Sequence, residues 1–223
     1  MPHSLIAIKY GETELPLRMA FADAAGDDRK VPISLIVYLI VTPTRRILVD
    51  AGCDTMPGFP LHLHTSPAEA VRMAGFAPEE ITDVILTHAH HDHVEAVRHF
   101  INATVYIAAS EREKAAKHLF AVRAVQTFDE AFSPVEGVTV TVSGGHSVGS
   151  AIVTVTHGGK EYAMVGDECY LRECLTERRP TGISCNPQNS LAFVEKYSNP
   201  RYTVLLAHDS ALLPGKLGCV RIF

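Results

Sequence analysis

The chain has 223 residues, room for one α/β domain and little for an independent second one. With 47% hydrophobic and 20% charged residues it has the composition of a globular protein and not of a disordered or fibrous one. The formal charge is −5, and no basic run is longer than Arg45-Arg46 or Arg178-Arg179, so no nucleic-acid partner is expected.

From Ser34 to Val49, two apolar, β-branched runs flank Thr42-Pro43-Thr44 and predict a hairpin that leaves the sheet at Asp50-Ala51-Gly52. Asp54 to Thr65 is expected to be a loop with apolar teeth at Met56, Phe59, Leu61 and Leu63, and with His62 and His64 at its surface. Ser66-Pro67-x-Glu69 supplies an N-cap, a first-turn proline and a capping-box acid for a helix through about Met73. Asp83 to Leu86 is a short buried strand, Thr104 to Ile107 another, and Ser110-x-x-Glu113 is expected to cap a helix through about His118. After Pro134 the pattern changes to strands: Val138 to Val142, Ala151 to Thr156, a Gly158-Gly159 turn, and Glu161 to Val165. Asn186-Pro187 starts a helix to about Tyr197, and Tyr202 to Leu206 is a last strand.

Five cysteines, Cys53, Cys169, Cys174, Cys185 and Cys219, form an odd set without C-x-x-C spacing, which argues for a reducing compartment and against a disulfide framework. The longest apolar stretch, Ile33 to Val41, is too short to span a bilayer, and the N-terminus lacks a basic segment followed by an apolar one. A cytoplasmic protein with no membrane partner is expected.

Histidine is the outlier, with 12 in the chain. His88, His90, Asp92 and His93 form an H-x-H-x-D-H cluster placed directly after the Asp83 to Leu86 strand. Chance gives this pattern in on the order of one in seven hundred such chains, so it needs corroboration. Imidazole and carboxylate ligands together suit Zn²⁺ or another first-row divalent ion, Fe and Mn included, and a strand-exit loop can bring them to one point. Three further residues sit at the ends of expected strands or turns: His146 in Gly144-Gly145-His146, Asp167 after Tyr162 to Val165, and His208 after Val204 to Ala207. Together they complete a metal-ligand set.

In this order, H-x-H-x-D-H, then Gly-His-Ser-Val-Gly-Ser, then a strand ending in Gly-Asp, then a strand ending in His, the sequence resembles the metallo-β-lactamase superfamily. The resemblance implies an αββα sandwich of two mixed sheets with helices outside, in a single domain over residues 1–223. It also implies a site for two metal ions, with His88, His90 and His146 on one, Asp92, His93 and His208 on the other, and Asp167 bridging. A narrower resemblance, Gly166-Asp167-Glu168-Cys169-Tyr170 together with His208-Asp209, is to the N-acyl-homoserine lactonase group, and it implies that the Tyr170 hydroxyl points at a substrate carbonyl. One departure is Val94-Glu95-Ala96, where many members of the superfamily have Ala-Gly-Gly after the Asp-His pair. His91 is not counted as a ligand, and Cys169 and Cys174 are expected to be packed thiols.

The expected activity is hydrolysis of a lactone or related ester by a hydroxide held between the two metals, with Asp92 shuttling a proton and Tyr170 stabilising the oxyanion. A thioester hydrolase of glyoxalase II type shares the same ligands but needs a basic patch for an anionic substrate, which the sequence does not display. A non-catalytic metal-binding module is the alternative from a different class. A homodimer is suggested by the resemblance alone.

Overall fold

The computed structural model describes residues 1–223 and contains two packed sheets. Strands β1 (Ser4–Pro16), β2 (Lys30–Val41), β3 (Arg46–Val49), β4 (Asp83–Ile85), β5 (Thr104–Ala108) and β6 (Ala124–Phe128) belong to the first. The second holds β7 (Ala131–Val135), β8 (Val138–Val142), β9 (Ala151–His157), β10 (Lys160–Met164) and β11 (Tyr202–Leu205), and the last strand, β12 (Gly218–Arg221), returns to the first. The first sheet runs β12-β1-β2-β3-β4-β5-β6, antiparallel as far as β3 and parallel beyond it; the second runs β11-β10-β9-β8-β7, with only β10 and β11 parallel. Short helices α1 (Leu17–Ala20), α2 (Pro67–Met73), α3 (His91–Val94), α4 (Arg112–Ala115), α5 (Glu173–Thr176) and α6 (Pro187–Tyr197) complete it.

Side-chain alternation builds the layers. Ile36, Tyr38 and Ile40 of β2 face inward and pack with Val138, Val140, Val153 and Val155 of the second sheet. Leu35, Val37 and Leu39 face outward, under Ala70 and Val71 of α2 and under Val97 and Phe100. On the far side, Ile152 and Ala163 pack against Phe193 and Val194 of α6. The order is therefore helices, sheet, sheet, helices, the expected αββα arrangement. Because β2 is buried on both faces, it reads as a continuous apolar run and not as an alternating one. No helix is long and apolar enough to cross a membrane.

The hairpin at Thr42-Pro43-Thr44 closes with Val41 opposite Arg46 and the Thr42 N–H donating to the Arg45 carbonyl at 3.0 Å. Ser66 caps α2, its Oγ accepting from the Glu69 N–H at 3.2 Å, while the Glu69 carboxylate reaches Arg72 and not the cap. Asn186 caps α6 in the same way, accepting from the Asn189 N–H at 3.2 Å.

Ser110 does not cap a helix: the regular turn is only Arg112–Ala115, flanked by tighter turns at Ala109–Glu111 and Ala116–Ala121. The reason lies in Glu111, whose buried carboxylate accepts from the Gly149 N–H at 3.0 Å and the Ala89 N–H at 3.3 Å and so ties the segment to two loops. Strand β1 also departs from the sequence pattern. It places Lys9 in the interior, donating to Glu12 at 2.5 Å and to the Leu213 carbonyl at 2.8 Å, and its register shifts between Lys9 and Gly11.

Candidate metal centre

The chosen residues converge at one edge of the sandwich. His88 and His90 lie in the segment that leaves β4, whereas Asp92 and His93 fall within α3 and not in an extended loop. His146 sits between β8 and β9, Asp167 in the tight turn Gly166–Glu168 after β10, and His208 after β11. Two glycines make the approach possible. Gly166 has φ +51, and a Cβ there would come within 2.7 Å of Thr87 Oγ1. At Gly145 a Cβ would lie 2.4 Å from Glu168 Oε2.

All seven predicted ligands come together in two groups that share Asp167: His88, His90, His146 and Asp167, and Asp92, His93, Asp167 and His208. Within each group the candidate ligand atoms lie within 4.8 Å of one another. Asp167 Oδ2 is 3.6 Å from His88 Nε2 and 3.5 Å from His146 Nε2, and its Oδ1 is 2.9 Å from His93 Nε2 and 3.0 Å from His208 Nε2. Asp92 Oδ2 stands 3.7 Å from His93 Nε2 and 3.8 Å from His208 Nε2. His90 Nδ1 approaches His146 Nε2 at 2.8 Å.

Surrounding acceptors fix the imidazoles by their other nitrogen, an arrangement that leaves Nε2 turned inward as a lone-pair donor. His93 Nδ1–H donates to Asp50 Oδ2 at 2.8 Å, His146 Nδ1–H to the Ile183 carbonyl at 2.8 Å, and His208 Nδ1–H to the Ser34 carbonyl at 3.0 Å. His88 Nδ1 meets Thr87 Oγ1 at 3.1 Å, and that hydroxyl donates in turn to Asp50. Asp50 itself sits at φ +62, a left-handed position that Asp tolerates better than most residues.

The ligand side chains shift one another's protonation. Burial pushes His88 and His90 below their ordinary values. Burial, the largest single influence, opposes protonation of His93 and His208 as well, but the carboxylates around them together outweigh it, Asp167, Asp50 and Asp92 at His93 and Asp167 and Asp92 at His208, and both are raised. The Asp167 carboxylate is disfavoured by burial, yet His93, His208 and His88 hold it well below the usual range. Burial and the Asp167 carboxylate push the Tyr170 phenol up.

The donor set fits divalent metal ions. His88 Nε2 is buried and makes no hydrogen bond, a costly state for a ring nitrogen unless a cation takes it. Nitrogen and carboxylate oxygen donors suit zinc and its first-row neighbours alike.

A cavity of about 330 Å³ opens beside both groups, lined by His90, Asp92, Asp167 and Tyr170 and by the apolar Leu15, Met19, Ile33, Met56, Phe59 and Ile183. Of the apolar teeth, Met56 and Phe59 line it, Leu61 packs on the core, and Leu63 is exposed. The Tyr170 hydroxyl donates to Asp167 Oδ2 at 2.6 Å, and its ring stacks on His208. His62 is exposed and pairs its backbone with Glu12, His64 bonds the Cys53 carbonyl, and His91 bonds the Thr55 carbonyl at the rim; none lines the cavity. Cys169 and Cys174 are buried, packed thiols. Asp50 and Glu168 escaped the reading of the sequence as functional residues, although Asp50 stands at a predicted strand exit and Glu168 directly follows Asp167.

Residues 37–208 match the model of the metallo-beta-lactamase superfamily. A probable metallo-hydrolase of Methanocaldococcus jannaschii is 29% identical over 141 residues, a span that is 63% of this chain and 63% of that protein. Among solved structures, a quorum-quenching N-acyl homoserine lactone hydrolase superposes with a TM-score of 0.81 at 18% identity, over 98% of this chain and 97% of that one. An N-acyl homoserine lactone hydrolase with the product N-hexanoyl-L-homoserine at its catalytic metal centre gives 0.78 at 18% identity, over 94% of each chain. A probable metal-dependent hydrolase from Staphylococcus aureus gives 0.80 at 19%, over 94% of this chain and 91% of that one. The superfamily match runs from within β2 to His208 and takes in every residue of the two histidine and aspartate groups, and the chain belongs to the metallo-beta-lactamase superfamily.

Proposed function

We propose that this protein is a dinuclear metal hydrolase that opens lactones or related carboxylic esters bearing an apolar acyl group. The carrying observation is the cavity: six apolar side chains line it together with residues of the two ligand groups, and no Lys or Arg does. A glutathione thioester would find no counter-charge there, which places the glyoxalase II reading second. The presence of N-acyl homoserine lactone hydrolases among the structural neighbours supports the same choice. His88, His90 and His146 would hold one ion, Asp92, His93 and His208 the other, with Asp167 shared. When bound, such a pair supplies an activated water at neutral pH and polarises a carbonyl. Asp92, which lines the cavity, would accept the proton released on attack and pass it to the leaving alkoxide. Tyr170, kept protonated by burial and by Asp167, is the donor for the oxyanion.

Elemental analysis of protein purified without chelator is expected to give close to two divalent ions per chain. A ratio near one in active protein would remove the dinuclear mechanism.

Tyr170→Phe is expected to keep both ions and to lower kcat/KM for lactones by about 10- to 1000-fold, as for loss of one oxyanion donor. If Met56 and Phe59 cover the acyl chain, kcat/KM of the parent should rise up to about tenfold for every two CH₂ groups added, following roughly 0.8 kcal/mol per CH₂. Lactones and S-acyl glutathiones assayed side by side test the substrate class. Equal turnover of lactones by parent and Tyr170→Phe would end the lactonase assignment.

A further inference from the structure

We infer that Glu168 is a positioning residue that sets the His88, His90 and His146 half of the site and leaves the other half to other residues. Its side chain is fully buried, and a single oxygen, Oε1, accepts four hydrogen bonds: from Ser150 Oγ at 2.6 Å, Ser143 Oγ at 2.8 Å, and the Gly145 and His146 N–H groups at 3.0 Å each. All four donors lie on the connection between β8 and β9 that carries His146. Glu168 belongs to the turn that carries Asp167, so one oxygen ties the backbone of two ligands together. The tie needs its neighbours. Gly145 is the residue that lets the carboxylate come so close, since a Cβ there would collide with Oε2. Oε2 itself is buried and has no partner, which stability alone does not account for.

The second half is held by different means. His93 leans on Asp50 and His208 on the Ser34 carbonyl, and no donor to Glu168 comes from α3 or from the segment after β11. Loss of Glu168 therefore leaves the Ile183 carbonyl as the remaining hold on the His146 ring, which loosens against His88 and His90, while His93 and His208 keep their supports. The effect is predicted to be specific to one site.

The inference rests on the two-ion reading, and the test separates the two. Metal-free parent, Glu168→Ala and Glu168→Gln are titrated with Co²⁺, followed by calorimetry and by the visible cobalt spectrum, with urea midpoints taken on the metal-free proteins. In Glu168→Ala one site is expected to weaken by about 10- to 100-fold and the other to stay within about twofold, the range seen when a residue behind a ligand is lost. The cobalt spectrum at one equivalent should then match that of His146→Ala and not that of His208→Ala. Glu168→Gln, whose amide oxygen can still accept, should lose less, and it carries the test if Glu168→Ala does not fold. A parent that binds one ion overturns the two-ion reading. A parent that binds two, with variants in which both sites weaken equally or neither weakens, overturns the role given to Glu168.

Discussion

Asp167→Ala is expected to abolish useful turnover, with kcat/KM for any ester falling at least about a thousandfold, because several kcal/mol of transition-state stabilisation pass through the shared carboxylate. Asp167 lies within 3.6 Å of ring nitrogens from both halves of the site, His88 and His146 on one oxygen and His93 and His208 on the other. Metal content should fall with activity, while circular dichroism shows the sheets intact, since Asp167 belongs neither to the core between the sheets nor to the one outside the first sheet. The variant also predicts a change in pH dependence. In the metal-free parent, Asp167 raises His93 and His208 above their ordinary value of 6.5, so their protonated forms contribute stability that is fully present below 6.5 and is lost as pH rises through the raised values. Asp167→Ala should show a smaller loss as pH rises above 6.5 in urea midpoints of the metal-free protein. Near-normal turnover in the variant would mean that the site has been placed wrongly.

Asp50→Ala should produce the largest loss of stability among single changes near the site. Asp50 is buried and accepts from the Thr87 N–H at 2.8 Å, from the Thr87 hydroxyl at 2.9 Å, and from His93 Nδ1–H at 2.8 Å. Alanine leaves all three donors buried without an acceptor, at a cost of about 3–5 kcal/mol. That is a large share of the whole stability of a domain, and it corresponds to a fall of roughly 10 °C in Tm for a chain of this length. His93 also loses the group that fixes its tautomer, so metal affinity in its half should drop about 10- to 100-fold. Thermal unfolding and metal titration on the same sample check both. A Tm within about 2 °C of the parent's would show that water replaces the carboxylate and that Asp50 does not organise the site.

The ligand cluster was legible in the amino-acid order because metal binding needs uncommon residue types at fixed spacing. His88, His90, Asp92 and His93 stand directly after an apolar run, and His146, Asp167 and His208 each follow a strand or turn. Helix starts were legible where a local bond makes them, as at Ser66 and Asn186. Strands β6, β7 and β12 were missed because short edge strands with exposed polar residues carry little period. The first strand was missed because Lys9 is buried against Glu12 and Leu213, partners that no window along β1 contains together.

The supports of the site depend on pairings between distant segments. Asp50 meets His93 across 43 residues, Ser34 meets His208 across 174, and Ile183 meets His146 across 37. Those distances close only when β3 pairs with β4 and β10 with β11, and when the two sheets pack face to face. The same holds for the cavity. Met56 and Phe59 belong to it and Leu63 does not, in a loop fastened to β1 by backbone bonds of His62 with Glu12 and of Thr65 with Tyr10. A residue's identity sets which chemistry it can perform; which groups surround it is set by long-range sheet pairing, whose entropy cost is repaid only when the whole core forms.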